Sequence, residues 1–254
     1  MSIRLFAAGA GLVAAVAVGA SPLPPVRLTP DTPRLAGQDR ASGDAGDFSV
    51  FAWRHLGPFT GGDTTAIAGV ASDPRVLYIG TAGGGIWHTG DYGRTWRPIF
   101  DGQSTGVIGE IVVAPSDPQV LYAGTGAVLD GLALPNGNGF YKSADGGATW
   151  THLGLAASGR IPRIAVHPTN PDLVLVAALG DPAAPGEERG VYRSTNGGRS
   201  FSRVLFRDVT IGAIDVLFDP LQPSVAYASL WRPATLGGAA ASGSGGGVFK
   251  SSDR

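Results

Sequence analysis

An eight-position pattern, Ser/Thr-x-Asp/Asn-x-Gly-x-Ser/Thr-aromatic, returns along this chain at intervals of about fifty residues. The first copy carries Thr89, Asp91, Gly93, Thr95 and Trp96; the second, Ser143, Asp145, Gly147, Thr149 and Trp150. The third carries Ser194, Asn196, Gly198, Ser200 and Phe201, and a fourth opens with Ser251 and Asp253. A period of this length signals a solenoid or a propeller, because each unit must bury its apolar faces against the next.

A second marker alternates with the first: Asp73-Pro74, Asp117-Pro118, Asn170-Pro171 and Asp219-Pro220. Apolar runs such as "EIVVA" at 110–114 and "AIDVLF" at 213–218 precede it. Others follow it: "VLYIG", "VLYAG", "LVLVA" and, more loosely, "SVAYASLW" at 224–231. A third run leads into each box ("GGIWHT", "GFYKS", "GVYRS", "GVFKS"), and the residues closing each box ("TWRPI", "TWTHL", "SFSRVL") make a fourth. These runs are short, rich in β-branched residues and bounded by turn formers, so they read as strands. Four strands per unit is the plan of a propeller blade. The expected fold is all-β, a β-propeller of four-stranded blades with about four blades present in an incomplete ring.

Within the box, an Asp side chain accepts hydrogen bonds from backbone N–H groups two residues on, and the following Gly supplies a positive φ. Together they close a hairpin, after which the aromatic begins the next strand and buries against the blade. The role read here is structural. A catalytic carboxylate is needed once, a turn in every blade, and Asn196 keeps the acceptor oxygen without the charge.

The chain opens with Arg4, an apolar run from Leu5 to Val18, and small residues at 19–21. A basic head, an apolar stretch and small residues read as a secretory signal over 1–20, followed by a flexible leader at 21–48 and the propeller segment at 49–254. The protein is therefore expected to be secreted or periplasmic, with membrane association only through an uncleaved signal. It holds no cysteine, so packing and backbone hydrogen bonds must stabilise it. With 19 Lys and Arg against 20 Asp and Glu and no block of like charge, nucleic acid is not an expected partner. The 40 glycines and 19 prolines sit with 43% hydrophobic residues, which suits a folded chain with many tight turns.

No cofactor or metal site is read from the sequence. His55, His88, His152 and His167 lack metal-ligand spacing, and the glycine cluster at 237–247 lacks the Lys-Ser/Thr ending of a phosphate loop. The acids outside the boxes are Asp63, Glu110, Asp130, Glu187, Glu188, Asp208 and Asp215, none in a motif that assigns a role. "WRHLGPF" at 53–59 aligns with the residues that close each box and reads as a fourth blade strand without its first three. Either it closes a four-bladed ring, or the segment belongs to a longer propeller truncated at its C-terminus, which is the expectation taken.

The box is similar to the Asp-box, or BNR repeat, of sialidases, xyloglucanases and the sortilin (VPS10) N-terminal domain. The phrases "YIGTAGGGIWHTGDYGRTW", "NPDLVLVAALG", "EERGVYRSTNGG" and "TIGAIDVLFDP" resemble exported bacterial sortilin-like or glycosyl-hydrolase-like BNR-repeat proteins. The resemblance implies a binding scaffold for protein, peptide or glycan ligands; its alternative is a glycoside hydrolase with acids partly in further blades. For the xyloglucanases it implies a catalytic Asp in a "TDVGG"-like turn, where this chain has Ala82 in Thr81-Ala82-Gly83-Gly84. For the sialidases it points to "RIP" at Arg160-Ile161-Pro162, here lying between the second and third boxes.

Overall fold

A computed structural model describes residues 55–57, 62–128, 134–233, 236 and 245–251. The signal at 1–20, the leader at 21–48, Asp130, Asp253 and most of the glycine cluster at 237–247 lie outside the described residues, and only 55–57 of the 53–59 stretch lie within them.

The described strands form four antiparallel sheets, each in simple sequence order. Blade 1 contains β1 (Thr64–Val70), β2 (Asp73–Thr81), β3 (Ile86–Thr89) and β4 (Arg97–Pro98). Blade 2 contains β5 (Ile108–Ala114), β6 (Asp117–Thr125), β7 (Phe140–Ser143) and β8 (Thr151–Gly154). Blade 3 contains β9 (Arg163–Val166), β10 (Val174–Ala178), β11 (Gly190–Ser194) and β12 (Ser202–Leu205). Blade 4 has three described strands, β13 (Gly212–Phe218), β14 (Ala226–Trp231) and β15 (Gly247–Ser251). The first strands β1, β5, β9 and β13 pack against one another in succession and form the inner wall. Among the described residues, blade packing runs 1 to 2 to 3 to 4 without extensive packing of blade 4 on blade 1, so the sheets make an open arc.

The unbroken apolar runs after each Asp/Asn-Pro have a direct explanation. Successive strand side chains point to opposite faces, and the second strand of an interior blade is covered on both. In β6, Leu121 and Ala123 enter the core shared with blade 1, while Val120 and Tyr122 enter the core shared with blade 3. In β10, Val174 and Val176 face blade 2, and Leu175 and Ala177 face blade 4. Leu121, Val174 and Val176 are fully buried, each contributing about 1.5–3 kcal/mol of apolar burial.

Antiparallel order also sorts the connections into two ends. The Asp/Asn-Pro turns and the repeated boxes lie at one end of the blades; the links from second to third strand, and from one blade to the next, lie at the other. Thr81-Ala82-Gly83-Gly84-Gly85 is such a link, between β2 and β3. Buried Thr81 organises it: its Oγ1 donates to the Gly85 carbonyl (3.0 Å) and accepts the Gly84 N–H (2.9 Å). In blade 2, buried Thr125 does the same for Gly139 and Asn138.

Candidate functional site: the repeated turns and the inner strands

The three complete boxes share one geometry. In the second, Asp145 Oδ1 accepts the Ser143 hydroxyl (2.8 Å) and the Thr149 N–H (2.8 Å), and Oδ2 accepts the Thr149 hydroxyl (2.6 Å). Ser143 Oγ in turn accepts the Gly147 N–H at 2.8 Å. In the first, Asp91 accepts from Thr89 Oγ1, Arg94 N, Thr95 N and Thr95 Oγ1, and Thr89 Oγ1 accepts the Gly93 N–H. In the third, Asn196 Oδ1 accepts from Ser194 Oγ and Ser200 N, Ser194 Oγ accepts the Gly198 N–H, and Asn196 Nδ2 donates to Ser200 Oγ.

Two local expectations need correcting. The side chain reaches backbone N–H groups three and four residues on, rather than two, because two successive positive-φ residues fold the chain back over the acceptor: Tyr92 and Gly93, Gly146 and Gly147, Gly197 and Gly198. The aromatics Trp96, Trp150 and Phe201 stand one residue before β4, β8 and β12 rather than opening them. From there they leave their own sheet. Trp150 donates its indole N–H to the Ile99 carbonyl (2.9 Å) of blade 1 and packs edge-on against Phe100. Trp96 donates to the Leu56 carbonyl (2.8 Å), and Phe201 packs edge-on against Phe140 of blade 2.

The box glycine makes a second link between blades. A Cβ on Gly147 would stand 2.6 Å from Ile99 Cδ1, one on Gly198 2.8 Å from Leu153 Cδ1, and one on Gly93 3.0 Å from Leu56 Cβ. Ile99 and Leu153 each lie three residues past a box aromatic, and Leu56 lies three past Trp53. That spacing was the available signal for a seat the sequence reading missed. A third link ties the box to the Asp/Asn-Pro turn of its own blade. Asp73, Asp117 and Asn170 accept the N–H two residues on, and the carbonyls of Arg75, Gln119 and Asp172 then accept N–H donors from Tyr92, Gly146 and Gly197.

The hydrogen bonds to Asp91, led by the Thr95 N–H, and those to Asp145, led by the Thr149 hydroxyl, hold both carboxyls down to about 2. Groups so placed stay ionised at neutral pH and do not supply a proton. The fourth box is described only at Ser251, the end of β15.

The acids outside the boxes are dispersed, with one exception. Glu110 of β5 and Asp215 of β13 sit at equivalent positions, each just after a register shift in an inner strand and each accepting the N–H of the next residue. Arg163 of β9 bridges them from the intervening blade: Nη1 donates to Glu110 Oε2 (2.9 Å) and Nε to Asp215 Oδ1 (2.8 Å). Burial pushes the Glu110 carboxyl up, against the pull of Arg163 and the Ile111 N–H. Burial also opposes the charge on Arg163, but Glu110 and Asp215 outweigh it and raise its pKa. Chemically this is a strut across three blades, and sequence reading missed Arg163 because its partners lie about fifty residues away on either side.

Elsewhere, Glu188 accepts the Tyr192 hydroxyl, and Asp208 accepts from Thr210 and pairs with Arg232. Asp63 precedes β1, and Glu187 lies in the link to β11, where its carbonyl accepts from Arg203. Arg160 of the "RIP" tripeptide is buried and donates to the Leu134 carbonyl at 2.9 Å. Arg189, fully buried, donates to the carbonyls of Leu179, Asp181 and Ala184 and gathers the link between β10 and β11 around itself. His152 contacts the Asn138 carbonyl and His88 accepts from Arg97. Beside Ala82, a shallow cavity of about 300 Å³ opens between Gly83–Gly85 and the stretch from Phe100 to Gly106, with Asp101 as the acid in its lining. Among the described residues no helix is long and apolar enough to cross a membrane.

Comparison with known proteins agrees with this architecture. A xyloglucanase of Hypocrea jecorina (strain QM6a) is 27% identical over 173 residues, which cover 61% of this chain and 19% of the relative. Xyloglucanase Xgh74A of Acetivibrio thermocellus is 30% identical over 141 residues, covering 47% and 16%. The chain thus spans less than a fifth of the length of either relative. The crystal structure of the GH74 xyloglucanase from Xanthomonas campestris superposes with a TM-score of 0.55 at 20% identity, over 74% of this chain and 28% of that one, a likeness of fold. The family model described as "Sortilin, neurotensin receptor 3" matches residues 84–212, just over half of the 254 residues, and on that match the chain belongs to the Sortilin-Vps10 family.

Proposed function

We propose that this chain is an exported, sortilin-like propeller that binds protein, peptide or glycan ligands and leaves them chemically unchanged. The observation that carries this reading is the Arg163 strut. Hydrolysis of a glycosidic bond needs one protonated and one ionised carboxyl facing each other across the substrate. Here the matched inner-strand acids, Glu110 and Asp215, are both engaged by one guanidinium. The cavity beside Ala82 brings a single acid, Asp101, and Ala82 itself transfers no proton. The end of the blades that carries the strand-two to strand-three links is then the ligand-facing end, with the 83–106 cavity as its first candidate.

The repeated boxes are, in this reading, Asp-boxes that serve the fold: Thr89, Asp91, Gly93, Thr95, Trp96 and their counterparts shape turns and join blades. Residues 1–20 direct export, 21–48 form a leader, and no cofactor is required. Incubation with xyloglucan and other β-glucan oligosaccharides distinguishes a binder from an enzyme. Binding without new reducing ends is expected; catalytic release of reducing sugar, abolished by Asp101→Asn, would overturn the proposal.

The second reading, a glycoside hydrolase of the xyloglucanase type, is favoured by the two xyloglucanase relatives. It requires a second acid besides Asp101, which the lining of the 83–106 cavity does not supply.

A further inference from the structure

The links from second to third strand differ between blades. Blade 1 crosses with residues 82–85 alone, whereas blade 2 uses 126–139 and blade 3 uses 179–189. The longer links bond to the stretch that leads into the next blade: Arg160 donates to the Leu134 carbonyl, Gly137 N–H to that of Gly159 (2.7 Å), and Gly186 N–H to that of Val209 (2.8 Å). The short link consists of Ala82 and three glycines, so it brings almost no side-chain volume to the same place. Gly85 N–H donates to the Gly106 carbonyl (2.9 Å), and a Cβ on Gly106 would stand 2.5 Å from the Gly83 carbonyl oxygen. The two walls thus meet at Gly106 and part around Gly83, where an added Cβ would find nothing within 4 Å. The 83–106 cavity of about 300 Å³ is the result, and both of its walls are continuous within the described residues.

The lining has a definite polarity. Asp101 is exposed, and no Lys, Arg or His stands with it in the lining. Other acids have a cation in place: Asp73 pairs with Arg75, Asp172 with Lys142, Asp208 with Arg232, and Glu110 and Asp215 with Arg163. Donors share the same small space. Ser104 Oγ accepts the Asn138 side-chain N–H (2.7 Å) and Thr105 Oγ1 the Val107 N–H (3.3 Å), so each hydroxyl proton is left to donate to a ligand. Gln103 adds an amide that can both donate and accept.

We propose that this cavity holds the N-terminal residue of a peptide. The α-ammonium pairs with the Asp101 carboxylate and donates to the Gln103 side-chain carbonyl, and the adjoining peptide carbonyl accepts from Ser104 or Thr105. A lysine side chain carries its ammonium at the end of a hydrocarbon stem with no acceptor beside it, and would leave those hydroxyls unmet. The proposal rests on the reading that this end of the blades meets ligand, and it narrows that reading to a chain terminus.

The test is an NMR titration of the full, nitrogen-15-labelled chain with the C-terminally amidated peptide AGSAG at pH 7. Saturable shifts are expected for the backbone amides of Gly83, Gly85 and residues 101–106. Acetylating the peptide's N-terminus should weaken binding about tenfold or more, and Asp101→Asn in the protein should do the same. Gly83→Leu, which fills the open space at that position, is expected to abolish binding while the thermal melt stays cooperative. Raising the pH to 9 should weaken binding about tenfold, because an α-amino group with a pKa near 8 is by then about nine-tenths neutral. Equal binding of the free and acetylated peptides, or of the parent and the Asp101→Asn protein, would overturn the proposal. So would undiminished binding by a folded Gly83→Leu protein; should that variant fail to melt cooperatively, the peptide series alone decides. An acetylated peptide of the same length with one lysine that binds more tightly than AGSAG, and keeps its affinity at pH 9, would assign the cavity to a side-chain ammonium and overturn the proposal. A neutral glucan oligosaccharide that moves these amides where AGSAG does not would overturn it while leaving the binding reading intact; turnover of that glucan would overturn the binding reading instead.

Discussion

The second and third boxes solve one problem with different chemistry. Asp145 and Asn196 both use Oδ1 to hold a hydroxyl two residues before and an N–H four residues after, and both are followed by two glycines with positive φ. They differ at the other terminal atom, where Asp145 Oδ2 accepts the Thr149 hydroxyl and Asn196 Nδ2 donates to the Ser200 hydroxyl. They differ again at the aromatic: Trp150 binds a carbonyl of the preceding blade, and Phe201 relies on ring packing. The turn therefore requires an acceptor oxygen and a left-handed pair, and it does not require a charge. This separates the box from acid–base chemistry more firmly than repetition alone.

The comparison breaks most severely at what the two boxes share. Gly147→Ala places a Cβ in a φ of 89° and 2.6 Å from Ile99 Cδ1, and a loss of about 2–4 kcal/mol is expected from backbone strain and overpacking. Shortening the neighbour in an Ile99→Ala/Gly147→Ala double variant should recover the packing part and leave the backbone part, which denaturant melts would resolve. No non-additivity between the two changes would refute the seat on Ile99.

Next in size is loss of the acceptor. Asp145→Ala strands the Ser143 and Thr149 donors, and its melting temperature is expected to fall by about 4–6 °C. Asn196→Ala should follow with a smaller drop, since its bonds are neutral. An Asn196→Ala loss larger than that of Asp145→Ala would reverse the ranking.

Trp150→Phe makes the second box like the third. It removes one indole donor and retains a ring beside Phe100, for an expected cost of about 1 kcal/mol in calorimetry.

The smallest effect at neutral pH is Asp145→Asn, and it sharpens the contrast on acidification. Because the folded carboxyl is held at about 2 against an ordinary value of 3.8, its stabilisation is present above pH 4 and is lost as pH falls towards 2. The Asn variant should lose less stability than the parent across that window. Equal acid sensitivity of the two would show that the box bonds do not favour the ionised form.

Strands and blades were legible in the sequence because their signals are local: "VLYAG" is short, apolar and bounded by Asp117-Pro118 and Gly126. The box was legible as a turn for the same reason. Its reach was not, because whether Asp91 bonds two or four residues ahead depends on φ at Tyr92 and Gly93, and a non-glycine residue in the left-handed region is not announced by its identity. The 83–106 cavity was half legible. Ala82 stood out by resemblance, whereas the approach of Asp101 to Gly83 depends on how β4 leads into β5.

The sequence alone therefore determined that this chain builds repeated four-stranded antiparallel units with a constant turn, since spacing, strand propensity and turn residues act within a few residues of one another. The tertiary structure decided how the units meet. Seating Gly147 on Ile99, binding Trp150 to the Ile99 carbonyl, and bridging Glu110, Arg163 and Asp215 across three inner strands all join residues about fifty apart. Such contacts depend on the twist and stacking of whole sheets, which no single segment encodes.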